Sequence, residues 1–442
     1  MNSRFRNWPM WAVVGYLMFG VGIAAFGPFE YIGMQAGLVF AFVLAVAVFF
    51  SVGFQLGVRS RPPMRAVWRK SQNPAILLNM FRICLFSSTL LMTALLLESA
   101  ITGRLTLSFS QSAEAYFSQY TNYTRNSGNY STRFLITSFG ALPVFIAQVL
   151  GIFYFGRLNT RARFAVVYLF VVTILVYTFA GGTQKQFGDI IIYLVTVVIA
   201  SQASTGRLRA STLLKVGFLA LAGVYVLLML LANRYQAIGV SLDTLSFRLH
   251  PLIRLSDDSV LEEYLGAQLA FPLLMFSGYL SQGYYGLSLA FEQPFTWTAF
   301  AGSSYSISVI LNQFLGAQFW VEKSYPYLVG AATGWGQSKW HTVFAWLASD
   351  LTFPGVIVFM GFVGFLFGRT WNEILRFRNP FSLMVFAMLS VGLVYAPANN
   401  QLMHSPGGLA TTFGVLILYV LFHASFNAAP TEIRRRRERI KQ

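Results

Sequence analysis

The sequence predicts an all-α, polytopic membrane protein, and three observations carry this prediction. Apolar runs without a charged residue recur along the 442 residues, among them 34–50, 166–179, 219–231 and 356–367. Hydrophobic residues make up 56% of the chain and charged residues 11%, whereas a soluble domain has about 25% charged residues. Basic residues gather in every second gap between the apolar runs. A hydrocarbon core about 30 Å thick takes roughly 20 helical residues, which each run supplies together with its flanks.

Ten spans are predicted in chain order, near 10–29, 34–58, 75–97, 134–156, 164–181, 188–203, 216–233, 352–368, 380–396 and 408–426. The first is too long, and too closely followed by the second, for a cleaved signal peptide. The segment 262–290 is apolar but contains Pro272 and several glycines, which favours amphipathic or re-entrant segments at the outer face. A hairpin there would instead cross twice and raise the number of spans to twelve.

The distribution of Lys and Arg predicts the orientation of these spans. With the N-terminus in the cytoplasm, the cytoplasmic loops and tails hold 22 of the 32 basic residues, and the opposite side holds 9. Only 3 of the 15 acidic residues fall on the cytoplasmic side. Because Lys and Arg in short loops mark that side, both termini are expected to be cytoplasmic. The net charge of +17 is spread over short loops, so nucleic acid is not expected as a partner.

The spans divide the chain into three regions. Residues 1–233 are predicted to be N-terminal transmembrane helices with an outer loop at about 98–133, and residues 234–351 are a large outer loop. Residues 352–442 are the C-terminal transmembrane helices and a basic cytoplasmic tail. The large loop holds 8 of the 12 acidic residues on the outer side. Function usually resides on such loops above a rigid scaffold.

The first candidate site is GGTQKQFGD, residues 181–189, between two spans. Its glycines break the chain just before a helix, and backbone amides freed at a helix N-terminus suit an anion. This pattern indicates a phosphate or pyrophosphate site at which Lys185 supplies charge. The alternative interpretation is a tight outer turn whose Lys185 and Asp189 are merely solvated.

Three arginines on the outer side are further candidates for binding phosphate. Arg234 is followed by Tyr235 at the end of a span, and Arg248 and Arg254 come soon after it. The planar guanidinium presents a fork of donors that matches phosphate oxygens. The alternatives are interfacial anchoring for Arg234 and Tyr235, and pairing with nearby acidic residues for the others.

An aromatic and glycine-rich stretch, 279–305, indicates a glycan-binding surface. Sugars present apolar ring faces beside hydroxyl groups, so aromatic side chains next to polar donors suit them. The candidates are Tyr284, Tyr285, Trp297 and, further on, Trp340. The alternative is an aromatic belt at the membrane interface.

Three residues are candidate general bases: Asp350, His341 and His404. His404 lies in the last outer loop, which has no Lys or Arg, and a neutral imidazole can accept a proton from a sugar hydroxyl. The alternatives are capping or tethering of a span for Asp350 and His341, and a structural role for His404. The sequence contains no metal-binding or nucleotide-binding motif, so neither a metal nor a cofactor is expected.

Four stretches of the chain resemble bacterial oligosaccharide repeat-unit polymerases, the O-antigen polymerase group, and within it the enterobacterial common antigen polymerases. They are FSQYTNYTRNSG with the following RFLITSFGALPVFI, VYTFAGGTQKQFGDIIIYL, LLANRYQAIG, and YLSQGYYGLSLAFEQPFTW with the later WHTVFAWLASDLTFPG. In the second, Gln184 precedes Lys185, so the basic residue after Gly-Gly-Thr is displaced by one position. In the last outer loop Asn399, Asn400 and Gln401 stand where relatives can carry charge.

The resemblance implies a GT-C-like, all-helical fold in the bacterial inner membrane. It implies a metal-independent glycosyltransferase that moves a growing chain from undecaprenyl pyrophosphate to a new lipid-linked repeat unit at the periplasmic face. Its partners would be the lipid-linked oligosaccharide, the bilayer, a chain-length regulator and a flippase. Carried over by position, it points to Lys185 and Arg234 as pyrophosphate ligands, with Arg248 and Arg254 by proximity. Two alternatives remain, an O-antigen ligase and a transporter or flippase for lipid-linked sugars.

Overall fold

A computed structural model describes residues 5–61, 74–105, 132–206, 209–237, 239–240, 250–256, 261–316, 319–336 and 339–426. In these ranges the regular structure is almost entirely helical. Its elements are, in order, α1 (Trp8–Phe26), β1 (Phe29–Tyr31), α2 (Ala36–Arg59), α3 (Pro74–Ile101), α4 (Thr132–Tyr154), α5 (Thr160–Ile174), α6 (Lys185–Ser204), α7 (Ala210–Ala237), β2 (Ile253–Leu255), α8 (Leu261–Leu265), α9 (Ala267–Ala290), α10 (Tyr305–Leu315), α11 (Phe319–Glu322), α12 (Tyr325–Thr333), α13 (Val343–Phe377), α14 (Pro380–Val394) and α15 (Pro406–Phe426).

Within the described part of the chain, nine helices are long and apolar enough to cross a membrane: α1 to α7, α13 and α15. The apolar helix α14 is shorter, with 15 residues. Each of the ten predicted spans corresponds to one of these helices, and the prediction of an all-α, polytopic membrane protein is confirmed. The start of α13 differs most, because it begins at Val343 and not near 352. The sequence places the charged Asp350 in the loop before this span. In the structure Asp350 lies in α13, and its carboxylate accepts hydrogen bonds inside the fold.

Helices α2 and α13 form the most extensive helix pair, with their backbones in direct contact. A Cβ atom at Gly53 would lie 1.9 Å from the carbonyl oxygen of Gly361, and one at Gly364 would lie 2.1 Å from that of Phe50. Gly364 and Gly368 are four residues apart and share one helix face. Small residues at such spacing let membrane helices approach closely and gain packing contacts.

Helix α9 corrects the interpretation of residues 262–290. The structure has no hairpin there. After the short α8, one helix, α9, continues through Pro272 and packs against α1, α7 and α12. A Cβ atom at Gly283 would lie 1.8 Å from the carbonyl oxygen of Pro397. This glycine allows close packing against the loop after α14, whereas its residue type suggested a break in the helix.

The two strands tie the segment after α7 to the connection between α1 and α2. Strands β1 and β2 pair antiparallel, with Glu30 opposite Arg254. The hydroxyls of Tyr31 and Ser281 lie 2.5 Å apart, which joins β1 to α9. These contacts fix α9 and the loops around it over one end of the helix bundle.

Candidate functional site

The site is built on the turn between α5 and α6. A π-helical turn over Leu175–Phe179 ends the preceding span, and Gly182 has a φ of 63°, a conformation that favours glycine. The amide and hydroxyl of Thr183 both donate to the carbonyl oxygen of Tyr177, at 2.8 and 2.9 Å. These bonds fix the turn and place Lys185 at the first position of α6.

Two basic side chains from separate spans meet at this turn. The Lys185 ammonium lies 2.6 Å from Asp189 Oδ2, one helical turn along α6, and its side chain is 34% exposed. Arg234, near the end of α7, donates to the carbonyl oxygen of Gly182 at 2.9 Å. Lys185 therefore has an acidic partner and is not simply solvated. Asp189 Oδ1 is buried and has no hydrogen-bond partner among the described residues.

His404, in the loop between α14 and α15, lies near Lys185. Its ring stacks on Tyr305 with 5.1 Å between centroids and meets Trp346 edge-on at 5.9 Å. Burial, and then the positive charge of Lys185, lower the pKa of His404 from 6.5 to about 4. The imidazole is therefore neutral at physiological pH. Its Nδ1 atom is buried without a hydrogen-bond partner in the described ranges.

The loop that carries His404 is bonded to the start of α10 and the residues before it. The Asn400 side chain donates to the carbonyl oxygen of Ser303 at 2.7 Å, and the Ser306 hydroxyl donates to that of His404 at 2.8 Å. Asn400 thus holds two loops together. Residues 303–306 and 400–404 are therefore in direct contact.

Asp350, a predicted general base, has both carboxylate oxygens occupied. Oδ1 accepts from the Thr298 hydroxyl at 2.5 Å and from the Phe300 amide at 2.8 Å. Oδ2 accepts from the amide and hydroxyl of Ser303, at 2.7 and 2.6 Å. A carboxylate offers about four acceptor positions, and all of these face the loop 298–303. This geometry gives Asp350 a positioning role and leaves no lone pair for a substrate proton.

His341, another predicted base, is enclosed by the protein. Its side chain is 1% exposed, and its Nε2 atom lies 3.2 Å from the carbonyl oxygen of Gly336. Burial lowers the pKa of His341 to about 4. Because a substrate cannot reach the ring, the prediction of His341 as a base is wrong for this arrangement. Among the three predicted bases, His404 is the one that lies beside the basic cluster.

Two of the four predicted glycan-binding residues are inside the helix packing. Tyr284 and Tyr285 are both 0% exposed. Their hydroxyls donate to backbone carbonyl oxygens, that of Tyr284 to Leu17 at 3.3 Å and that of Tyr285 to Ile32 at 2.8 Å. Neither ring has a face that a glycan could cover, so the prediction is wrong for these two residues. Adjacent aromatic residues on a helix do not by themselves reveal which side is buried.

Trp297 differs from the two tyrosines because it is 54% exposed. It meets Phe300, 64% exposed, edge-on at 5.7 Å between centroids, and both belong to the loop that Asp350 holds. Phe300 was not among the predicted glycan-binding residues. Its position three residues after Trp297, in an aromatic loop, is the feature of the sequence that could have indicated it. Trp340 is half-buried, and its ring packs against Tyr279 at 5.3 Å.

The remaining predicted residues are Tyr235, Arg254 and Arg248. Tyr235 is half-buried and packs against the hydrophobic core. Arg254 is exposed on β2 and lies opposite Glu30 in the strand pair. Arg248 lies outside the described residues.

Within the described ranges, no three His, Cys, Asp or Glu side chains form a group that could hold a metal ion.

Comparison with models of known families, with curated proteins and with solved structures gave no match. The resemblance to repeat-unit polymerases therefore stays a prediction from the sequence.

Proposed function

We propose that the protein is a glycosyltransferase that polymerises undecaprenyl-pyrophosphate-linked repeat units into a surface polysaccharide. It would act at the periplasmic face of the bacterial inner membrane, with both termini in the cytoplasm. The observation that carries the proposal is the convergence of Lys185, Arg234 and a neutral His404. Cations for a departing diphosphate and a base for an attacking hydroxyl are what this transfer requires.

In the proposed reaction a hydroxyl oxygen of the lipid-linked acceptor attacks the anomeric carbon of the donor. A new bond forms between these atoms, and the bond from the anomeric carbon to the diphosphate oxygen breaks. That oxygen keeps the bonding electrons, and Lys185 and Arg234 stabilise the negative charge that develops on it. The proton of the acceptor hydroxyl passes to the imidazole of His404.

The state of His404 depends on the donor. Without a ligand its pKa of about 4 makes it a weak base. A diphosphate at Lys185 offsets the positive charge that contributes to this low value, so the pKa of His404 rises when the donor binds. The imidazole is therefore a stronger base when the leaving group is in place.

Trp297 and Phe300 give the acceptor glycan a platform. Their rings are exposed at residues 297–300, and the same loop is bonded through Ser303 to the loop that carries His404. A sugar ring that packs on this pair would lie beside the basic cluster. The donor is held by its diphosphate at Lys185 and Arg234. We therefore assign the glycan that packs on Trp297 and Phe300 to the acceptor.

The test is to supply purified protein with a lipid-linked repeat unit and to separate the products by length. Wild-type protein is expected to form a ladder, with or without EDTA. Arg234→Ala should reduce ladder formation by about 100-fold, since it removes one charge that stabilises the leaving group. The control is Arg209→Ala, an exposed arginine at the opposite end of the same span. A normal ladder from Arg234→Ala would refute the assigned role.

The same assay separates the proposal from its alternatives. A ligase would transfer glycan to added lipid A core and would make no ladder from repeat units alone. A transporter or flippase would move the lipid-linked sugar between leaflets and form no glycosidic bond. In cells, loss of a polymerase leaves a single repeat on the lipopolysaccharide, whereas loss of a ligase leaves none.

A further inference from the structure

An apolar cleft with a volume of about 240 Å³ lies between α1 and α6. Helix α14 packs against both and closes its base. The lining is mainly aliphatic and aromatic, and it includes Trp8, Ala12, Tyr16, Val195, Ala203 and Val394. A cleft with such walls, between membrane-spanning helices, suits a hydrocarbon chain.

One end of the cleft adjoins the basic site. The Tyr16 hydroxyl donates to the carbonyl oxygen of Val394 at 2.7 Å. The next residue, Tyr395, reaches the carbonyl oxygen of Lys185 with its hydroxyl at 3.4 Å. A Cβ atom at Gly188 would lie 2.5 Å from this hydroxyl oxygen, so glycine lets the tyrosine lie against α6. The cleft and the basic cluster thus follow one another along α6.

The depth of the cleft limits which lipid of the leaflet that contains Lys185 can fill it. From Lys185, Val195 is ten residues along α6 and Ala203 is eighteen, which correspond to rises of about 15 and 27 Å. Half of a hydrocarbon core is about 15 Å thick. A chain whose head group lies at Lys185 must therefore pass the bilayer midplane to fill the cleft. A phospholipid acyl chain in the same leaflet ends near the midplane, whereas a long isoprenoid chain continues beyond it.

We propose that this cleft binds the isoprenoid chain of the polyprenyl diphosphate whose head group binds at Lys185 and Arg234. This inference rests on the proposed function and adds the path of the lipid through the membrane. The cleft is smaller than most ligand sites, which span about 300–1,000 Å³, so it holds a segment of the chain. Because lipid tails are as apolar as the cleft, the gain on binding comes from packing against its shape.

The experiment uses a polyprenyl diphosphate without sugar that carries a diazirine in a distal isoprene unit. The full-length protein is placed in nanodiscs, illuminated and digested, and the labelled peptides are identified. Labels are expected on residues 8–16 and 195–203. Ala12→Trp, which fills the cleft from α1, should lower this labelling about tenfold. Thr196→Phe fills the same space from α6 and serves if the first variant does not fold.

The control variant is Val48→Trp, because Val48 is 49% exposed on α2 and does not line the cleft. It should label like the wild type. A second probe, phosphatidylglycerol with a diazirine at the end of an acyl chain, should label the cleft weakly and give way to excess polyprenyl diphosphate.

Two outcomes overturn the proposal: unchanged labelling in both cleft-filling variants, or equal labelling by phosphatidylglycerol that polyprenyl diphosphate does not displace. The second would make the cleft an ordinary contact with bilayer lipid. The inference and the proposed function can fail separately. A product ladder together with labels outside the cleft would refute only the inference about the cleft. If the protein forms no ladder but is labelled in the cleft, the polymerase proposal is refuted and the cleft remains a binding site for a polyprenyl lipid.

Discussion

Asp350 and Asp189 are both buried carboxylates on spanning helices, 6% and 7% exposed, but their partners differ. Four donors from residues 298–303 occupy Asp350. Asp189 accepts from Lys185 through one oxygen, and its other oxygen has no partner among the described residues. All acceptor positions of the Asp350 carboxylate are occupied by hydrogen bonds within the fold. The Asp189 carboxylate belongs to a pair whose lysine is accessible and can exchange its partner for a ligand.

The fold needs the bonds at Asp350 because the loop it holds is strained. Ala299 and Phe300 have φ values of 51° and 65°, which cost on the order of 1–3 kcal/mol each for residues other than glycine. Hydrogen bonds to a charged acceptor contribute about 1.5–3 kcal/mol each. The Asp350 carboxylate thus offsets the strain and keeps Trp297 and Phe300 exposed. Variants of the two carboxylate sites should therefore fail in different ways.

The largest effect on catalysis is expected for Lys185→Ala. Loss of one charge from the leaving-group site should lower the rate of polymerisation about 100-fold. The thermal midpoint of unfolding should fall as well, because the buried carboxylate of Asp189 loses its cationic partner. Lys185→Arg should retain most of the activity because it keeps the charge. Lys215→Ala, an exposed lysine on α7, is the matched control. A loss of less than a few-fold with Lys185→Ala would remove this lysine from the mechanism.

Asp350→Asn should act mainly on stability and on acceptor binding. The asparagine amide places an NH2 group where a carboxylate oxygen accepted hydrogen bonds. The donors of the loop 298–303 that face this group lose their acceptor, which costs about 1–3 kcal/mol for each donor. The free energy of unfolding should fall by this order, and the KM for the acceptor should rise about tenfold as Trp297 and Phe300 lose their position.

Thermal unfolding and steady-state kinetics test this expectation, with Asp350→Glu and Trp297→Ala for comparison. Trp297→Ala should raise the KM without changing stability. If Asp350→Asn instead left the protein stable and abolished kcat, Asp350 would be a base and its proposed positioning role would be wrong.

The spans and the basic cluster could be predicted from the sequence because each depends on local signals. Charge-free runs mark helices in a membrane, and the turn before Lys185 has glycines beside a helix start. Arg234 is a candidate from the sequence because its guanidinium is expected on the outer side, where basic residues are few. The side chain of Arg234 reaches the carbonyl oxygen of Gly182 in that turn, and an anion site there stays a prediction.

The roles of Asp350, Tyr284 and Tyr285 depended on distant partners and could not be read locally. The donors to Asp350 lie about 50 residues earlier in the chain. The two tyrosines are buried because α9 packs against α1 and the segment that follows it. A list of aromatic residues gives composition but not the side of the helix that faces a neighbour.

The smallest effect, and the most direct link between the two substrates, is expected at His404. The chain has only four histidines, so NMR of ¹³C-histidine-labelled protein can follow each one, and His404→Gln identifies the signal. Its pKa should be about 4 without ligand and should rise when polyprenyl diphosphate is added, since the anion offsets Lys185. Lys185→Ala should raise the pKa only partly, because burial is the larger cause of its low value. The pKa of His341 should not respond to the ligand, which makes it an internal control. An unchanged pKa for His404 with saturating ligand would mean that the diphosphate binds elsewhere, and the proposed coupling between the donor and the base would fail.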